Sequence, residues 1–70
     1  MVRQPVSSSN LRSVGYDAAN SILEIEFHSG GVYQYFSVPS NTYQSLMSAP
    51  SHGQYFHSHI KDRYRYARIR

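Results

Sequence analysis

The chain has 70 residues, seven basic side chains against four acidic ones, a net charge of +3, and no cysteine. Roughly 100–200 residues make a domain, so there is room for one small core and not for a dinucleotide-binding βαβ system. Disulfides and thiolate metal sites are excluded, and Leu, Ile, Val and Phe supply only 15 of the 70 residues, so the seven tyrosines must share in the core.

The elements are expected in the following order. Residues 1–9, with Pro5 and three serines, read as a flexible lead-in, and residues 10–70 as one domain. A first strand is predicted over 10–16, with Arg12, Val14 and Tyr16 on one face and Leu11 and Ser13 on the other. Asp17-Ala-Ala-Asn20 forms a turn. Leu23, Ile25 and Phe27 alternate with Glu24 and Glu26, which is the pattern of a half-buried strand. A two-residue turn at Ser29-Gly30 would lead into a third strand over 32–38, placing Phe27 opposite Val32 and Leu23 opposite Phe36. In that register Tyr33 and Tyr35 share a face with Glu24 and Glu26, and a slip of one residue would reverse the faces.

Pro39 ends the sheet and Ser40 is expected to cap a helix over 41–48 carrying Tyr43, Leu46 and Met47. Tyr55, Phe56, His59 and Ile60 give a second helix over 51–60 its apolar stripe. Residues 64–69 alternate again, as a short last strand would. The expected fold is therefore α+β: a three-stranded antiparallel meander, two short helices, and a short C-terminal strand.

No window approaches the ~18 apolar residues of a membrane-spanning helix. The N-terminus lacks the apolar core of a signal peptide. A cytoplasmic location is expected.

Charge is unevenly spread. Residues 61–70 hold Lys61, Arg63, Arg65, Arg68 and Arg70 against Asp62, whereas residues 1–60 hold two arginines against three carboxylates. A basic segment of this kind attracts phosphate, or simply solvates the chain end. The tyrosines Tyr33 and Tyr35 project from one sheet face, where aromatic rings can stack bases. Arg63, Arg65 and Arg68 would then hold phosphates. The opposing reading packs these tyrosines inside and pairs the C-terminal arginines with Glu24 and Glu26.

Metal and catalytic chemistry find little here. His57 and His59 stand about 200° apart on a helix, too far round to share an ion, and His28 lies on a distant hairpin. Ser58 between two histidines is not a triad, because no third group orients it. Glu24 and Glu26 have Cα atoms ~6.6 Å apart on one strand face and fit a polar sheet surface better than an acid–base pair. No enzyme activity and no cofactor are expected.

The same residues resemble the KTSC domain family. The resemblance runs through Ser9-Asn10-Leu11, Val14-Gly15-Tyr16-Asp17, Leu23-x-Ile25-x-Phe27 and Gly31-Val32-Tyr33-x-Tyr35-Phe36-x-Val38-Pro39. It continues through Gly53-x-Tyr55-Phe56-x-x-x-Ile60 and Tyr64-x-Tyr66-x-x-Ile69, and so covers about residues 8–69. His57 departs from the polar residues expected at its place. The family is named from the C-terminus of some lysyl-tRNA synthetases and also occurs as small stand-alone bacterial or phage proteins. It implies a small α+β fold, no catalytic residues, and a proposed RNA-binding role, with Tyr33 and Tyr35 as signature positions. The expected partner is RNA or another nucleic acid. The alternative is a protein partner docked on the tyrosine face or an edge strand.

Overall fold

The computed structural model describes the whole chain, Met1–Arg70. Five strands and two helices follow in the order β1 (Gln4–Pro5), β2 (Leu11–Asp17), β3 (Ile22–Phe27), β4 (Val32–Tyr35), α1 (Ser40–Ser48), α2 (His52–His59) and β5 (Tyr66–Arg68). All neighbours pair antiparallel in one sheet of order β1-β2-β3-β4-β5. The α+β class stands. The strand count does not: four strands precede the helices, where three were expected. The extra one is β1, inside the segment read as a lead-in. Its Gln4 and Pro5 face Val14 and Ser13 of β2. Gly15 makes this docking possible, because a Cβ there would stand 3.0 Å from the Val2 carbonyl oxygen and 3.1 Å from Arg3 Cγ.

Two register details correct the sequence reading. The β2–β3 pairing is interrupted between Leu11 and Ser13, with Leu11 opposite Phe27 and Ser13 opposite Glu26. This bulge absorbs exposed Arg12 as the extra residue and turns Leu11 to the same side as Val14 and Tyr16. Strict alternation had put Leu11 on the other face. The β3–β4 loop is the second correction. Phe27 N–H donates to the Gly31 carbonyl at 2.9 Å, so the loop is His28-Ser29-Gly30, three residues rather than two. Gly30, at φ +107°, supplies the positive φ that such a loop requires. The register therefore shifts by one residue. Ile25 opposes Tyr33, Leu23 opposes Tyr35, and Glu26 opposes Val32. Tyr33 and Tyr35 thus lie on the aliphatic face of β3, not the glutamate face.

That face is the core. Leu11, Val14, Leu23, Ile25, Tyr35 and Val38 meet Leu46 of α1, Phe56 of α2 and Ile60. Both helices cover it. α1 is entered from Pro39, whose extended backbone precedes the first turn; Ser40 is already helical rather than the cap. Tyr43 of α1 stacks on Tyr16 at 4.8 Å, and the Tyr16 hydroxyl donates to the Val38 carbonyl at 2.5 Å. α2 has a side-chain cap: Ser51 Oγ accepts from Gln54 N–H at 3.2 Å. After Ile60 the chain reverses through Asp62, at φ +64°, and returns as β5 beside β4.

Candidate nucleic-acid interface

β4 and β5 pair so that Tyr33 faces Arg68 and Tyr35 faces Tyr66. Period-two alternation sends all four side chains to the helix side of the sheet. Tyr66 touches both neighbours, at 5.9 Å from the Tyr33 ring and 5.7 Å from the Tyr35 ring. Behind them Phe56 of α2 packs edge-on to Tyr35 at 5.6 Å and to Phe27 at 5.3 Å. The Arg68 guanidinium lies over the Tyr33 ring, 5.8 Å from its centroid, and its Nε donates to the Arg70 carbonyl at 3.0 Å.

These rings line one side of an open groove of ≈ 580 Å³ between the sheet and α2. Asn10, His28, His57 and Lys61 line it too, and no carboxylate does.

Tyr33 and Tyr35 play different parts. Tyr35 is only 5% exposed and belongs to the core. Desolvation, then the charges of Tyr33, Tyr66 and Asp62, pushes its hydroxyl up to about 12. Tyr33 is half-buried and lines the groove. Tyr66, absent from the sequence-based site, is 58% exposed. The signal for it was its place two residues before Arg68 in the C-terminal alternation.

The arginines separate too. Arg63, Arg65 and Arg68 are all exposed, and none makes an ion pair. Arg68 joins the tyrosines. Arg63 sits in the turn after α2, its N–H donating to the Ile60 carbonyl at 3.1 Å. Arg65 opposes Phe36, and alternation sets it on the side away from Tyr66. The structure therefore brings Arg68 onto Tyr33 beside Tyr35, while none of Arg63, Arg65 and Arg68 lines the groove itself.

The carboxylates of β3 are occupied on the opposite face. Arg3 bonds Glu24 and lies 4.0 Å from Glu26. Arg70 reaches Glu26 at 3.4 Å. Ser13 Oγ donates to Glu26 at 2.9 Å while accepting from Arg3 Nε at 3.0 Å, and Gln34 donates to Glu24 at 2.9 Å. Burial alone would raise the Glu24 carboxyl. The hydrogen bonds from Gln34 and Arg3 and the Arg3 charge outweigh it, so the group titrates below its usual range. Arg3 was not foreseen, because it lies in the segment read as lead-in.

The histidines do not converge. His52 Nδ1 pairs with the Leu46 carbonyl at 2.8 Å, His28 Nε2 with the Ser8 carbonyl at 2.9 Å, and His59 stacks on Tyr55 at 4.3 Å. No three His, Asp or Glu side chains gather as metal ligands would. No helix is long and apolar enough to cross a membrane.

Comparison with known proteins gives these features a family. The KTSC domain model matches residues 7–64. An uncharacterized protein of Stutzerimonas stutzeri is 47% identical over 70 residues, covering 99% of both chains. A lysine–tRNA ligase of Trichormus variabilis is 41% identical over 61 residues, 87% of this chain but 11% of the ligase. The crystal structure of a KTSC domain protein from Yersinia pestis superposes with a TM-score of 0.96 at 46% identity, covering 99% of this chain and 97% of that one. The chain belongs to the KTSC domain family.

Proposed function

We propose that this protein is a single-stranded nucleic-acid-binding module, with RNA as its ligand, and that the groove between β4–β5 and α2 is the binding surface. One observation carries the reading. Exposed Tyr66, half-buried Tyr33 and unpaired Arg68 share one face, while Glu24 and Glu26 are bound to Arg3 and Arg70 on the other. An aromatic surface with cations and no carboxylate in its lining suits stacked bases and a phosphate backbone. Tyr66 and Tyr33 stack bases; Arg68 and Lys61 contact phosphates, and Arg63 extends the basic track. Tyr35 supports the rings from below. Similarity to part of a lysine–tRNA ligase, an enzyme whose name specifies an RNA substrate, adds weight to RNA.

The test is an amide chemical-shift titration with a short single-stranded RNA at low and physiological salt. Shifts at Tyr33, Tyr66, Lys61 and Arg68 that persist at physiological salt are expected. With two phosphates engaged, log K should fall against log salt with a slope of about −1.4. Shifts confined to the arginines and erased by salt would reduce the interaction to nonspecific attraction. No shifts at either salt would overturn the reading and favour a protein partner.

A further inference from the structure

Arg68 is exposed, yet its guanidinium is restrained on three sides. Its Nε donates to the Arg70 carbonyl at 3.0 Å, and that carbonyl also accepts from the Val32 N–H at 3.0 Å. Its Cζ lies 5.8 Å from the centroid of the Tyr33 ring, which is itself flanked by Phe27 at 5.6 Å and Tyr66 at 5.9 Å. The third side is Gly31. A Cβ there would stand 3.0 Å from Tyr33 Cε1, tighter than side chains pack, and would touch Arg68 at Nε, 3.5 Å, and Cζ, 3.6 Å. Gly31 is buried, and its φ lies outside the left-handed region, so alanine could adopt its backbone. What the position requires is the missing side chain. The Gly31 carbonyl accepts from Phe27 N–H at 2.9 Å, which keeps the backbone from drawing back to make room. A methyl group would therefore displace the ring on which the guanidinium lies.

We propose that Gly31 is a positioning residue for phosphate recognition; this rests on the nucleic-acid reading above. The space it leaves seats Arg68 on Tyr33 as a preformed fork for one phosphate of the bound strand. Arg68 then recognises that phosphate by geometry as well as by charge. Arginine carries one N–H on Nε and the rest on its two terminal nitrogens. With Nε committed to Arg70, the side edge of the guanidinium is closed, and the edge between the terminal nitrogens is open. Two parallel N–H···O bonds from that edge match two oxygens of a phosphate. Ordering the guanidinium before the ligand arrives lowers the entropy lost on binding. A lysine would bring the same charge, but no plane to lie on the ring and no fork.

The experiment has two readouts on the full chain: anisotropy of labelled oligo-U across a salt series, and the Arg68 Nε–H resonance without RNA. The variants are Gly31→Ala, Arg68→Lys, Arg68→Ala and the double variant Gly31→Ala/Arg68→Ala. In the parent the Arg68 Nε–H should exchange with water more slowly than that of Arg63, and Gly31→Ala should shift it and speed its exchange. Arg68→Lys should weaken binding by roughly 3- to 12-fold, the worth of one hydrogen bond, with the salt slope unchanged because the charge remains. Gly31→Ala should weaken binding by roughly 2- to 10-fold in the parent and by less than about two-fold in the Arg68→Ala background, since it acts through Arg68. Should Gly31→Ala not fold, the parent resonance and Arg68→Lys decide on their own. A parent Nε–H that exchanges as fast as that of Arg63, Arg68→Lys binding as the parent does, or an equal Gly31→Ala loss in both backgrounds overturns the proposal and leaves the nucleic-acid reading in place. No binding of RNA by the parent overturns both.

Discussion

Tyr35 and Tyr66 face each other across β4 and β5, yet they should fail in opposite ways when truncated. In a chain this short a single core rarely supplies more than about 3–5 kcal/mol of stability. Tyr35 is buried against Phe56 and sits in the nine-residue core cluster. Removing a buried ring of this size costs about 3–5 kcal/mol, close to the whole stability of the domain. Tyr35→Ala is therefore expected to unfold largely at room temperature and to lose RNA binding only because the fold is lost. Tyr66 is mostly exposed and lies on the outermost strand. Tyr66→Ala should cost under about 1 kcal/mol of stability, while losing about 1–3 kcal/mol of RNA affinity if the ring stacks a base. Urea melts followed by far-ultraviolet circular dichroism, paired with anisotropy titrations of the same samples, separate the two effects. A Tyr35→Ala protein within 1 kcal/mol of the parent that has nonetheless lost binding would refute the division into supporting and displayed tyrosines. So would a Tyr66→Ala protein that binds as the parent does.

Three further outcomes follow from the same contacts. The Tyr35 hydroxyl titrates near 12 in the fold and near 10 in the unfolded chain, so stability should fall as pH rises between those values. The loss should be on the order of 2–3 kcal/mol, and alkaline urea melts of Tyr35→Phe should lack that component. Arg3→Ala leaves the nearly buried Glu24 without its cation and should cost about 1–3 kcal/mol at neutral pH. Glu24 contributes its stability above the usual carboxylate range and loses it as pH falls through its lowered folded value, so variant and parent urea midpoints should converge in acid. Gly15→Ala places a methyl group against the Val2 carbonyl and should lift β1, destabilising by about 1–3 kcal/mol and speeding amide exchange in β1 and at the β2 residues it pairs.

The parts of the fold visible in the sequence were those written in local pattern. Leu23, Ile25 and Phe27 announced β3, Pro39 the end of the sheet, and Tyr43, Leu46 and Met47 the helix that follows. What escaped was anything decided by partners far away in sequence. Gln4 and Pro5 are polar and short, and they become a strand only because Gly15 leaves space for them on β2. The β3–β4 register turned on one residue of loop length. Aliphatic segregation favoured placing Val32 and Phe36 with Leu23, and it was outweighed by a three-residue loop and by the helices. Those helices bring Phe56 to the sheet, where a tyrosine ring fills the space over Leu23 that a smaller side chain would leave empty.

That one-residue shift also reorganises the candidate site. Had the tyrosines shared a face with Glu24 and Glu26, every C-terminal arginine would have had a carboxylate beside the rings, and nucleic acid would have met negative charge there. The observed register puts the glutamates behind the sheet. There Arg3, from the N-terminal segment, takes Glu24, and Arg70, from the other chain end, takes Glu26. Each terminus thus spends one arginine on β3, and Arg68 is left free over Tyr33. The division of the basic residues between structure and surface follows from alternation along β5. Tyr66 and Arg68 lie on the helix side of the sheet, Ala67 between them on the other, and Arg65 falls on the same side as Ala67. Moving Arg68 by one position, through deletion of Ala67, should carry its charge to the glutamate face and abolish the salt-dependent part of RNA binding contributed there, about 0.7 in the salt slope. A slope unchanged by that deletion would mean that the phosphates are held elsewhere on the basic segment.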